Sequence, residues 1–246
     1  MNIKDINKNW TELGDDDPMW VVLTDPAKKG NRWNEEEFFA TGKEEIEKQF
    51  AKLDAQGVSV RNGKALDFGC GVGRLTQALA ARFEHVDGVD VSDSMIRNAE
   101  KLNRFPGRAE YHLNARGDLG SFASGEYDFI YSIIALQHIP PAFQKNYITD
   151  FMRLLSPGGI ASFQTIHFKG WRNLIPDWLV DSYRKFKHKG KAFIPMYGVN
   201  PGQIHQIVVR GDGTVLKHDC VPYSGFETRL ANDIFLIQKS SRPQPD

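Results

Sequence analysis

The sequence predicts an α/β fold, a doubly wound and mostly parallel sheet with helices on both faces, and three observations predict it. The run Lys64 to Phe68 reads as a short buried strand, and it passes through Gly69, Gly71 and Gly73 into a helical stretch, Arg74 to Phe83, whose Leu75, Ala78, Leu79 and Phe83 share one face. A second short strand, His85 to Asp90, ends on a carboxylate and leads through Ser92-Asp93-Ser94 into the helical run Met95 to Leu102. Tyr127 to Ile134 is almost continuously apolar, the mark of a central parallel strand covered on both sides.

The glycine loop reads as a cofactor loop. Glycines at alternate positions permit a sharp strand-to-helix turn with positive φ and leave no Cβ in the way of a ligand, while the helix start offers free N–H groups. A dinucleotide fingerprint requires Gly-x-Gly-x-x-Gly. Counted from Gly69, its third glycine would fall at Arg74, whereas the chain places it one residue earlier at Gly73.

The segment Asp67-Phe-Gly69-Cys-Gly71-Val-Gly73 resembles motif I of the class I S-adenosylmethionine (SAM) dependent methyltransferases. The resemblance implies a seven-stranded Rossmann-like methyltransferase sheet, SAM as cofactor and S-adenosylhomocysteine as product. It assigns cofactor contact to Asp67, Gly69, Cys70, Gly71 and Gly73. Asp90 would take the ribose hydroxyls, although Asp90 also reads as a helix-capping residue beside Ser92 and Asp93. Val91, Met95 and Ser132 join the cofactor set. Asn114 and Ala115 are the choices beside the adenine, since Asp118 comes late for the usual pattern.

The later elements follow in order. Tyr127 to Ile134 looks like the family's fourth strand, and Ala135-Leu136-Gln137-His138-Ile139-Pro140 resembles the Leu-x-His loop of small-molecule members. Pro141 opens a helix carrying Phe143, Tyr147, Phe151 and Leu155, which Pro157-Gly158-Gly159 stops. The fifth strand is Ile160 to Ile166. After it come a helix over Gln203 to Arg210, a turn, a strand at Val215 to His218 and a last strand, Asp233 to Lys239. In the family that last strand runs antiparallel between strands five and six.

The whole reads as one domain: an N-terminal extension that serves as a cap (1–62, with a helix from about Glu35 to Leu53), a SAM-binding core (63–167), a cap insertion (168–201), a closing helix and strands (202–239) and a frayed tail (240–246). Charge is balanced, 31 basic against 31 acidic residues, which leaves no overall footprint for nucleic acid. Neither a membrane span nor a targeting signal is legible, so a cytoplasmic protein is expected. The two cysteines, Cys70 and Cys220, show no metal-ligand spacing, and no metal is expected.

The aromatic residues of the two extensions suggest a partly apolar acceptor pocket, with Trp33, Trp171, Trp178 and Tyr197 as its candidates, although aromatics pack wherever they sit. The run Arg184 to Lys191 is strongly basic; it reads as a solvated face, or as a site for an anionic acceptor.

Methyl transfer from a sulfonium needs mainly alignment, worth ~7–11 kcal/mol. A hydroxyl acceptor gains from a general base, for which His167 is the first candidate and His138 the second; each equally fits a structural histidine. The family's amino-methylating Asn/Asp-Pro-Pro-Tyr/Phe motif is absent after strand four, as is the acidic set of its magnesium-dependent catechol type. The expected reaction is methyl transfer to a small molecule, with oxygen as the acceptor atom. Alternatives are a protein or RNA methyltransferase, or a SAM-binding module without transfer.

Overall fold

In the computed structural model, which describes residues 1–170, 175–189, 191–223 and 229–241, seven strands form one sheet in the order β3-β2-β1-β4-β5-β7-β6. The elements along the chain are α1 (Ile3–Asp16), α2 (Pro18–Val22), α3 (Glu35–Ala55), β1 (Lys64–Phe68), α4 (Arg74–Ala80), β2 (His85–Asp90), α5 (Asp93–Lys101), β3 (Ala109–Leu113), β4 (Tyr127–Ser132), α6 (Pro141–Leu154), β5 (Leu155–Phe168), α7 (Asp177–Lys187), α8 (Pro201–Arg210), β6 (Gly213–Pro222) and β7 (Leu230–Lys239). Strands β1 to β5 pair in parallel, and β7 runs antiparallel between β5 and β6, the arrangement the sequence led one to expect.

Strand alternation builds a core on each face. On β1 and β4, Leu66 and Ile130 pack with Phe151, Phe163 and Phe235 on one side, while Ala65 and Phe129 pack with Phe50, Phe83 and Leu79 on the other. Helix starts carry their own signals. Asn34 accepts from the N–H groups of Glu36 and Glu37 at the start of α3, beneath a first turn of three glutamates that suits the helix dipole. Ser92 caps α5 through Met95 N–H at 3.2 Å.

Several boundaries differ from the sequence reading. Helix α4 ends at Ala80, and Phe83 folds back into the core through its N–H bond to Leu79. Strand β4 stops at Ser132 because Ile134 turns the chain at φ +60°. Strand β5 begins at Leu155, running through Pro157-Gly158-Gly159. Gly158, at φ +77°, supports a bulge there, and the register against β4 shifts accordingly.

The strand-starting edge of the sheet holds a charge network around Asp87 of β2. Its side chain is 4% exposed and accepts from Tyr127 Oη at 2.6 Å, while His112 Nε2 and His85 Nε2 lie at 2.7 and 3.0 Å and Lys64 Nζ at 3.1 Å. These four donors hold the Asp87 carboxyl well below the usual carboxylate range despite its burial.

Helix α1 ties the N-terminal extension to the two sides of the sheet's opposite end. Asn7 Nδ2 donates to the Val91 carbonyl, Ser94 Oγ donates to the Thr11 carbonyl at 2.9 Å, and Asn9 exchanges two hydrogen bonds with the backbone of Phe193. Gly14 is required by this contact, since a Cβ there would lie 2.5 Å from Ser94 Oγ. No helix among the described residues is long and apolar enough to cross a membrane.

Candidate active site

The glycine loop leaves β1 and is bound to the end of β2 by backbone bonds. Gly69 and Cys70 N–H both donate to the Val89 carbonyl, at 2.8 and 3.0 Å. Gly69, Gly71 and Gly73 all have positive φ, at 78°, 53° and 84°. The chain itself demands glycine here. A Cβ would strike Ala135 at Gly69, Val22 at Gly71 and the Tyr111 hydroxyl at Gly73.

Asp90 stands at the carboxyl end of β2 with each oxygen holding one backbone donor, Gly71 N–H at 2.9 Å on Oδ2 and Ser92 N–H at 2.8 Å on Oδ1. Burial pushes its carboxyl upward, and the backbone donors oppose that rise. A carboxylate oxygen accepts more than one hydrogen bond, so both oxygens keep capacity for a ligand hydroxyl.

A cavity opens beside it and encloses, with the space at its mouth, about 970 Å³. Its lining includes Gly69, Cys70, Gly71, Asp90, Val91, Met95, Asn114 and His138, eight of the residues singled out in the sequence. Arg74 also lines it. Its guanidinium is buried with Nε unpartnered, while Nη1 donates to Thr41 Oγ1 at 3.4 Å. Ile134, a β-branched residue in the left-handed region, forms part of the wall, a strained backbone of the sort that accumulates at binding sites.

The remaining candidates lie elsewhere among the described residues. Asp67 is buried beneath the loop, where Thr76 Oγ1 donates to it at 2.7 Å and burial raises its carboxyl to about 6. Gly73, Ala115 and Ser132 are outside the lining, and the Ser132 hydroxyl is buried and unpartnered. His167 is also outside it, with Nδ1 held by Asp233 Oδ2 at 2.5 Å. Trp33 packs on Phe38 and donates Nε1–H to the Leu23 carbonyl. Tyr197 is fully buried with its hydroxyl on Asp181, and Trp178 points to solvent, 66% exposed. Trp171 falls outside the described residues.

The basic run also divides. Arg184 turns inward to the Met196 carbonyl at 2.8 Å and lies over the Tyr197 ring, whereas Lys187 and Lys189 are exposed.

The sequence reading did not single out the residues of α1 that roof the cavity. Ile3, Ile6 and Trp10 of α1 line it, and their i, i+3, i+7 spacing was the available signal. Trp10 lies 5.2 Å from the His138 ring. That ring is fixed on both nitrogens: Nδ1–H donates to the Pro195 carbonyl at 2.6 Å, and Nε2 faces Gln137 Nε2 at 3.1 Å. Gln137 Oε1 accepts in turn from Gln164, which also donates to Asn232. Burial lowers the His138 imidazole to about 4, so it is neutral at neutral pH.

The fold places this cavity at the carboxyl ends of β1, β2 and β4, where open α/β sheets bind their ligands. Residues 65–159 match the family model described as a methyltransferase domain. An uncharacterized methyltransferase of Synechocystis sp. is 34% identical over 122 residues, covering 49% of this chain and 56% of the relative. The ubiquinone biosynthesis O-methyltransferase of Aromatoleum aromaticum is 32% identical over 106 residues, covering 42% of this chain and 44% of the relative. The chain thus spans about half the length of the curated relatives it matches. In fold it is similar to magnesium protoporphyrin IX methyltransferase from Synechocystis with bound SAH, with TM-score 0.61 and 16% identity over 96% of this chain and 99% of that one. Residues 65–159 thus match a methyltransferase domain, and the solved methyltransferase structure shares the fold of the chain.

Proposed function

We propose that this protein transfers a methyl group from SAM to an oxygen of a small-molecule acceptor. The observation that carries the reading is the Asp90 carboxylate, tied to the glycine loop through Gly71 N–H and lining a largely apolar cavity under α1. The residues present fit the cofactor. Asp90 can accept from both ribose hydroxyls, the unpartnered Nε–H of buried Arg74 suits a carboxylate such as that of the cofactor's amino-acid portion, and Val91 and Met95 offer an apolar wall to a base with Asn114 beside it. When bound, SAM supplies an electrophilic methyl on a sulfonium sulfur.

The chain's own contribution is positioning and the exclusion of water. Ile3, Ile6 and Trp10 cover the cavity, and Ile133 to Ala135 form the wall opposite. His138 is the candidate base within the cavity. Because Pro195 O can only accept, the ring proton sits on Nδ1 and the lone pair on Nε2. Proton uptake there requires the Gln137 amide to turn aside. Oxygen as the acceptor atom and a small-molecule acceptor draw support from the named O-methyltransferase relatives.

The test is conversion of SAM to S-adenosylhomocysteine across a panel of small hydroxyl-bearing acceptors. With a productive acceptor, His138→Ala should lower turnover by ~10²–10⁴-fold if the imidazole acts as base, while SAM affinity stays within error. The rate should show no inflection from this group through neutral pH, since it titrates at about 4. An unaltered rate in His138→Ala removes the base, and tight SAM binding without turnover of any acceptor identifies a binding module instead of an enzyme.

A further inference from the structure

The far half of the sheet holds a second cluster of chemically active side chains, outside the cavity. Asp233 of β7 pairs directly with Thr165 of β5 on one side and Cys220 of β6 on the other, and the strand period of two brings His167 and His218 to the same face. His167, Cys220 and Asp233 each offer a ligand atom, and these atoms lie within 4.8 Å of one another. His218 Nε2 lies 2.8 Å from Asp233 Oδ1, the oxygen that His167 does not hold.

Two features of this cluster call for a cation. The Asp233 side chain is 0% exposed, yet its charge-bearing partners among the described residues are two imidazoles, which carry a positive charge only when protonated. A buried carboxylate is costly unless a positive charge accompanies it. Thr165 Oγ1, buried and directly across from Asp233, has no hydrogen-bond partner. The cluster is also reachable, since the His167 side chain is 25% exposed and Cys220 is an exposed free thiol. The comparable group of His85, Asp87 and Glu110 differs, because the Lys64 ammonium already sits 3.1 Å from Asp87 and would repel a metal ion.

We propose that His167, Cys220 and Asp233 form a binding site for a divalent transition-metal ion of the zinc class. A thiolate, an imidazole and a carboxylate are the donor types such ions select, and three protein ligands with solvent access leave a fourth position open. On binding, the Cys220 thiol releases its proton to solvent, and the ion replaces the proton shared between His167 and Asp233, which moves to the imidazole's other nitrogen. His218 acts as a positioning residue that holds the second oxygen of Asp233.

The test uses the metal-free full chain titrated with Co²⁺, followed by absorption, with Zn²⁺ as competitor. The expected result is one ion per chain, the intense d–d bands of a low-coordinate site and a sulfur-to-cobalt charge-transfer band, all displaced by Zn²⁺. Cys220→Ser, at an exposed position where folding should be unaffected, should abolish the charge-transfer band. His218→Ala should weaken binding by about 10–100-fold, and His85→Ala should change nothing. No Co²⁺ binding, a spectrum unaltered in Cys220→Ser, or binding lost in His85→Ala would each overturn the proposal. None of these readouts depends on methyl transfer.

Discussion

Replacing Asp87 by Ala is expected to lower the unfolding free energy by about 3–5 kcal/mol, the usual cost of stripping one partner from a buried charged network. Its carboxylate serves Tyr127, His112, His85 and Lys64 together, and the hydroxyl of the buried Tyr127 loses its acceptor once Asp87 is gone. For a chain of this size the loss corresponds to a fall in Tm of roughly 6–20 °C. The pH dependence has a definite sign. The folded carboxyl titrates below its unfolded value, so its stabilisation is fully present above the unfolded pKa and disappears as pH falls through the folded one. Denaturant titrations of the wild type and Asp87→Ala at neutral and acid pH should converge as the solution is acidified. A difference at neutral pH below about 1 kcal/mol, the size of one ordinary hydrogen bond, would show that the network contributes little. The network lies at the strand-starting edge and outside the cavity lining, so cofactor affinity should survive wherever the variant is folded.

The second large effect is on binding. Asp90→Ala should weaken S-adenosylhomocysteine by about 1.5–3 kcal/mol, the range for hydrogen bonds to a charged group, which is about tenfold to somewhat over a hundredfold in Kd. Asp90→Asn should do little better. Both carboxylate oxygens already receive a backbone N–H, from Gly71 and from Ser92, so an amide NH₂ in either place faces a donor with a donor. Thermal melts of the same variants separate the two consequences, since loosening the glycine loop lowers Tm whether or not ligand is present. Unchanged affinity in both variants would remove Asp90 from the ribose.

How much was legible depended on whether the signal was local. Strands β1 and β2 coincide with the runs Lys64 to Phe68 and His85 to Asp90 because both are short and bounded by their own turn residues. Strand β3, Ala109–Leu113, carried no such run, as most of its side chains are at least partly exposed. Pro157-Gly158-Gly159 looked like a stop, yet the backbone bulges and the strand continues through it. The candidate cleft residues have the same local character as β1, since the loop and Asn114 directly follow β1 and β3 and Asp90 ends β2. The partners of His167 and His138 were not readable. Asp233 is 66 residues from His167, and Pro195 is 57 from His138, so only the closed sheet and the folded insertion bring them together. Trp10, and not Trp33, reaches the cavity because α1 docks on α5 while Trp33 packs against α3. Composition alone could not choose between the two tryptophans.

Calorimetry of the full chain with SAM, with S-adenosylhomocysteine and, separately, with NADH tests the central claim most directly. The glycine spacing and the Asp90 cleft predict binding of the first two and none of the third, with the Asp90 variants weakened in step. Binding of NADH alone would contradict the assignment of the loop, and binding of none of the three would contradict the claim that this cleft, as it stands, holds a nucleoside cofactor.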